Sequence, residues 1–158
     1  MIRFANQGGS IIGICNGFQI LTELKLLPGT LIRNTNLKFI CKDINLKVNS
    51  NSRFTNLYSS NEVIRIPIAH AEGNYYADKK ILKSLKDNDQ IIFSYCSENG
   101  DITKKSNPNG SLLNIAGVTN KEGNVVGLMP HPERVSEKVF NNIDGIRFFK
   151  SIINYHNY

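Results

Sequence analysis

The chain has 158 residues, enough for one domain with a sizeable core. Its 41% hydrophobic and 20% charged content is ordinary for a globular protein, and no stretch nears the ~18 consecutive apolar residues of a membrane span. The formal charge of +6 is spread, with no basic run longer than a pair (Lys79-Lys80, Lys104-Lys105) and no interleaved aromatics, so it reads as a solvated surface rather than a nucleic-acid site.

The start of the chain carries one basic residue, Arg3, before polar residues and glycines. That is not a secretory signal, and a cytoplasmic setting is expected. Residues 1–7 read as the end of a helix stopped by Gly8-Gly9. Residues 11–15 form a continuous apolar run, the pattern of a strand covered on both faces. A helix follows over 16–27, with Ile20, Leu24 and Leu27 aligned and Pro28-Gly29 as its stop. Alternation predicts strands over 44–48 and 63–68. Residues 79–86 read as a short amphipathic helix with Ile81, Leu82 and Leu85 on one side, and 90–95 as a further strand. Asn107-Pro108-Asn109-Gly110 is a strong turn signal. Strands over 112–118 and 124–129 are joined by a turn around Glu122-Gly123-Asn124. A closing helix spans 144–155, with Ile146, Phe149 and Ile153 aligned. This mix predicts an α/β fold, a central sheet with helices on both faces.

The three cysteines are too few and too scattered for a disulfide framework or a zinc site. Cys41 and Cys96 lie in apolar, strand-like contexts and are expected to be buried. Cys15 is different. In Gly13-Ile14-Cys15-Asn16-Gly17 it sits between glycines where a strand gives way to a helix, the Cys version of the nucleophile elbow. A thiol there faces the positive end of the helix macrodipole, which favours a nucleophilic thiolate. The amide N–H of Asn16 suits half of an oxyanion hole. Bulk at Gly13 or Gly17 is expected to clash with the nearby strand or helix.

Downstream, Pro130-His131-Pro132-Glu133 supplies a base and an orienter. Pro132 pushes His131 toward an extended backbone, and side chains two apart on an extended segment share a face. Glu133 can then hold one imidazole nitrogen while the other faces a nucleophile. His70-Ala71-Glu72 has the same spacing and competes for the base role, but lacks the flanking prolines. No Walker or dinucleotide fingerprint occurs, so no nucleotide cofactor is expected in this chain.

These two motifs make the sequence resemble the class I (triad) glutamine amidotransferases. Further segments extend the likeness from about Phe4 to Ile153: Leu27-Leu-Pro-Gly29, Asn36-Leu-Lys-Phe-Ile-Cys41, Ile68-Ala-His-Ala-Glu-Gly-Asn74, Asn107-Pro-Asn-Gly-Ser111, Ile115-Ala-Gly117 and Gly127-Leu-Met-Pro-His-Pro-Glu-Arg134. Asn16 and the Asn-Pro-Asn-Gly-Ser segment bring it nearest the branch formed by the glutaminase subunits of phosphoribosylformylglycinamidine synthase. The resemblance implies a flavodoxin-like three-layer sandwich with a mostly parallel sheet. It implies that Cys15 attacks the glutamine carboxamide, that His131 is general base and acid, and that Glu133 orients His131. Asn16, Gln19 and the backbone around Asn109, Gly110 and Ser111 would bind the substrate. No metal site is implied. Ammonia would pass to a PurL-like synthase subunit that holds ATP and Mg, accompanied by a small PurS-like subunit.

Members of that family carry further βα units and a Pro-Gly-Gly loop ahead of the elbow, and the loop supplies a second oxyanion-hole donor. Too few residues precede Cys15 to hold a βαβ unit. The expectation is a single amidotransferase domain over 1–158, short of its N-terminal units. Alternatives are a catalytically incomplete, partner-binding fragment or another Cys-elbow hydrolase.

Overall fold

The computed structural model describes residues 1–156. Two short elements come first: helix α1 (Ile2–Asn6) and strand β1 (Ile11–Ile14), separated by Gly8 at φ +86°. Helix α2 (Asn16–Glu23) follows directly. Then come β2 (Thr30–Ile32), β3 (Ile40–Val48), β4 (Val63–His70) and β5 (Asn74–Tyr76). Helix α3 (Lys79–Asp87), β6 (Ile91–Cys96), β7 (Ile115–Thr119) and β8 (Val125–Leu128) lead to the closing helix α4 (Ile146–His156).

Six strands form one sheet in the order β1-β8-β7-β6-β3-β4, and β2 pairs with β5 in a separate antiparallel ribbon. Helices cover both faces. One face buries Leu46, Ile66, Ile68 and Tyr95 under Phe148 of α4, and the other buries Val118 and Val125 under Phe18 and Leu21 of α2 and Leu85 of α3. This is the three-layer α/β arrangement the sequence implies, with one difference. Among these strands only β1 and β8 run parallel; β8/β7, β7/β6, β6/β3 and β3/β4 are antiparallel. The connections explain it: the turn from Thr119 to Val125 is far too short for a parallel crossover and makes a hairpin instead.

The helices turn other faces inward than the apolar spacing suggests. In α2, Phe18 and Leu21 are buried, while Ile20 and Leu24 are exposed. Lys25 adopts φ +56° and ends the helix early; Leu27 then reaches the core from the turn beyond. In α4 the buried apolar residue is Phe148, stacked on Phe54, and Ile153 lies open to solvent. Residues 112–114 form a 3-10 turn rather than the first part of β7. Cys96 is buried as expected, but Cys41 is exposed. The reason is register: β3 pairs with β6 only over Asn45–Val48, so its first half projects past the sheet with β4 alone.

The sheet curls, which brings its two outer strands toward one another at one end. The thiol of Cys15, just past β1, approaches Ala69 O of β4 at 3.7 Å, and the N–H of His131, just past β8, donates to Pro67 O of β4 at 2.8 Å. No helix among the described residues is long and apolar enough to cross a membrane.

Phe18 ties α2 to this arrangement, packing on Tyr75 and over Gly127. Phe18→Ala leaves a ring-sized void there and is expected to cost about 3–5 kcal/mol. A fall in the urea midpoint with little change in slope checks it.

Candidate active site

Cys15 occupies the turn between β1 and α2 with φ 53° and ψ −108°, a backbone state that L residues rarely hold. Three hydrogen bonds fix it: Cys15 N to Leu128 O at 2.9 Å, and the N–H groups of Phe18 and Gln19 to Cys15 O at 3.0 and 3.3 Å. The N–H groups of Asn16 and Gly17 open the helix and have no partner within it. Gly13 is required sterically, since a Cβ there would stand 2.5 Å from Leu21 Cδ1 and 2.6 Å from the Gly17 backbone. Gly17 is not, because its own Cβ position is open space; only its backbone enters the close approach.

His131 is 7% exposed. Its Nδ1 pairs with Glu133 Oε1 at 2.6 Å, so the spacing of the motif delivers the pairing it predicts. The route differs: Pro132 opens a 3-10 turn over Pro132–Val135, and that turn, not an extended segment, swings Glu133 back to the ring. The other nitrogen, Nε2, is buried and has no hydrogen-bond partner. Cys15 Sγ leans on Ala69 O instead, yet lies near enough to be the chief influence on the imidazole. Cys15 first, then Glu133, raise the His131 pKa from 6.5 to about 9. Burial pushes the Glu133 carboxyl up, but the His131 hydrogen bond and charge outweigh it and leave the carboxyl below its ordinary value.

Cys15, Asn16, Gln19, His70, His131 and Arg134 all line one cavity of about 550 Å³. Gln19, one turn into α2, donates from Nε2 to Glu72 O at 3.0 Å on the opposite wall. A slightly larger groove of about 610 Å³, between the end of α2 and α3, is mostly apolar and lacks any nucleophile–base pair. Cys15 and His131 face the smaller one.

Asn109, Gly110 and Ser111 are not on this cavity's wall. Asn109 is fully buried and donates from Nδ2 to Gly73 O at 2.7 Å and to Tyr95 Oη at 3.2 Å. Ser111 Oγ donates to Gly73 O at 3.1 Å and accepts from Tyr75 N at 3.0 Å. Gly110 has φ +92° beside Thr35. Asn109 and Ser111 thus brace the 71–75 segment, while Gly110 lies against Thr35. The residues that sequence reasoning did not place at the site are Phe39, Glu72 and Arg134, together with His70, which it treated only as a competing base. The His70-x-Glu72 spacing is one signal; Phe39 and Arg134 lie in the Asn36–Cys41 and Gly127–Arg134 segments of the family resemblance, which carry no role for either side chain.

A family model described as the CobB/CobQ-like glutamine amidotransferase domain matches residues 1–155. The chain is 53% identical over 151 residues to phosphoribosylformylglycinamidine synthase subunit PurQ of Aquifex aeolicus, covering 95% of this chain and 66% of that protein. It is 53% identical over 152 residues to the protein of the same name from Synechocystis, covering 96% of this chain and 68% of that one. Among solved structures, that of PurLQS from Thermotoga maritima superposes with a TM-score of 0.83 at 43% identity, over 98% of this chain and 66% of that chain. The chain thus spans about two thirds of the length of the relatives it matches.

The raised imidazole gives a pH signature. His131 should titrate near pH 9 by NMR, and Glu133→Gln should move the midpoint down toward 6.5. Because the folded value lies above the ordinary one, the imidazolium stabilises the fold fully below about pH 6.5 and that contribution is lost as pH rises through about 9. Urea midpoints should decline across that window, and less so in the variant.

Proposed function

Because the chain belongs to the CobB/CobQ-like glutamine amidotransferase domain family, we propose that it is the glutaminase component of a phosphoribosylformylglycinamidine synthase. One observation carries the reading: the Cys15 thiol at its elbow opens on the same cavity as the buried, Glu133-held His131. Sγ attacks the side-chain carbonyl carbon of glutamine, and the carbonyl electrons move onto oxygen, where the free N–H groups at the start of α2 stabilise them. His131 gives its proton to the departing nitrogen as the C–N bond breaks, leaving a γ-glutamyl thioester and ammonia. His131, now neutral, takes a proton from water as that water attacks the thioester; glutamate leaves and the Cys15–His131 pair is restored. Glu133 holds the imidazole orientation throughout. Gln19 meets the bound amino acid from α2.

The ammonia goes to a PurL-like synthase subunit, where ATP and Mg drive conversion of formylglycinamide ribonucleotide to its amidine. A PurS-like subunit completes the assembly. The relatives named as subunits of this synthase, and the PurLQS structure from Thermotoga maritima, support this partnership. Chemistry on soluble nucleotide precursors fits a cytoplasmic setting.

The test is ammonia release from glutamine in the presence of the synthase partner. Cys15→Ala should lower it by at least about 1,000-fold, and a glutamine-analogue electrophile should label wild type but not the variant. Release that survives Cys15→Ala overturns the reading.

A further inference from the structure

His70 ends β4 and is 3% exposed, yet it is among the residues that line the Cys15 cavity. Its protonation state can be read from its neighbour. Asn34 is fully buried, and its Nδ2 donates to Lys38 O at 2.8 Å and to His70 O at 3.0 Å. Its Oδ1 accepts from Gly73 N at 3.0 Å. Turning the amide over would set oxygen against two carbonyls and a donor against a donor, so the orientation is fixed. His70 Nδ1, 3.2 Å from that Oδ1, must therefore carry the ring proton. Nε2 is left as a bare acceptor, buried and without a hydrogen-bond partner. Burial, with the positive charge on His131, lowers the His70 pKa to about 4, so the acceptor stays unprotonated at neutral pH. The ring cannot swing away: it lies flat on Gly73, where a Cβ would stand 2.3–2.7 Å from Cε1, Nδ1 and Nε2.

A buried acceptor left empty is costly unless something fills it. We infer that His70 is a specificity-determining residue whose Nε2 accepts an N–H of the substrate's side-chain carboxamide. The inference rests on the glutaminase reading above. An amide offers the donor that Nε2 lacks. The glutamate carboxylate offers only acceptors and meets a lone pair that is held unprotonated. The site thereby takes glutamine and releases glutamate. A pocket built to hydrogen-bond one substrate group discriminates strongly against an analogue without it.

The experiment compares glutamine with glutamic acid γ-methyl ester, which keeps the reacting carbonyl but has no side-chain N–H. Both are assayed in the same assembly with the synthase partner. His70→Phe should lower kcat/KM for glutamine at least about tenfold more than for the ester, and His70→Gln, which restores an acceptor, should recover part of that gap. Inhibition by glutamate should strengthen relative to the KM for glutamine. Equal losses on amide and ester in a folded variant would show a structural role only and overturn the inference. A second measurement needs no change at His70. In the Cys15→Ala protein, glutamine should shift the nitrogen-15 resonance of the unprotonated His70 nitrogen and glutamate should not; no shift with bound glutamine also overturns it. A wild-type protein that neither binds nor hydrolyses glutamine overturns this inference and the glutaminase reading together. One that hydrolyses glutamine with an unchanged amide-to-ester gap in His70→Phe overturns this inference alone.

Discussion

The backbone at Cys15 is the constraint on which the site depends. A non-glycine residue at positive φ costs about 1–3 kcal/mol and persists only where its surroundings leave no alternative. Here β8 supplies the fixed carbonyl of Leu128 on one side, α2 draws two N–H groups onto Cys15 O on the other, and the Gly13–Gly17 approach lets strand and helix close around the turn. Phe18 and Leu21 then bury the helix against the sheet. The strained turn is thus held by core packing, and the thiol emerges where a straight strand would have hidden it.

The second constraint is the curl of the sheet. Cys15 and His131 lie far apart in sequence and just past two neighbouring strands, and the third strand that completes the site, β4, is the opposite edge. Only curling lets Ala69 O and Pro67 O touch Cys15 and His131. The same closure places two histidines in one cavity and drives them apart electrostatically. His131, against a thiol and a carboxylate, is held up; His70, desolvated by burial and facing the charge on His131, is held down. Environments that separate like groups in this way divide the tasks of a site between them.

Motifs whose chemistry is local were legible from the residues alone. The elbow is a turn of a few residues, and the His131–Glu133 pairing needs only short-range geometry, so both could be read without the fold. The faces of α2 and α4 could not, because Phe18 and Ile20, or Phe148 and Ile153, are equally apolar and only the sheet decides which turns inward. The exposure of Cys41 depends on where β6 stops pairing, and the ribbon of β2 with β5 depends on three-residue strands that no periodicity marks. The role of Asn109 and Ser111 as braces on Gly73 joins residues far apart in sequence. Asn34, the residue that fixes the tautomer of His70, carries no local sign at all.

One feature of the sheet bears on how the protein fails. Among the described strands β1 has β8 as its only partner, and alternation along it turns the N–H groups of Ile12 and Ile14 away from that partner while Ile11 and Cys15 bond to it. Within the described sheet the strand leading to Cys15 is therefore held along one side only, while β7 and β6 are held along both. Local opening starts where few bonds must break. Under gentle heating or dilute denaturant, the elbow should lose its shape while the middle of the sheet still stands, so reactivity at Cys15 is the first property to go and overall unfolding the last.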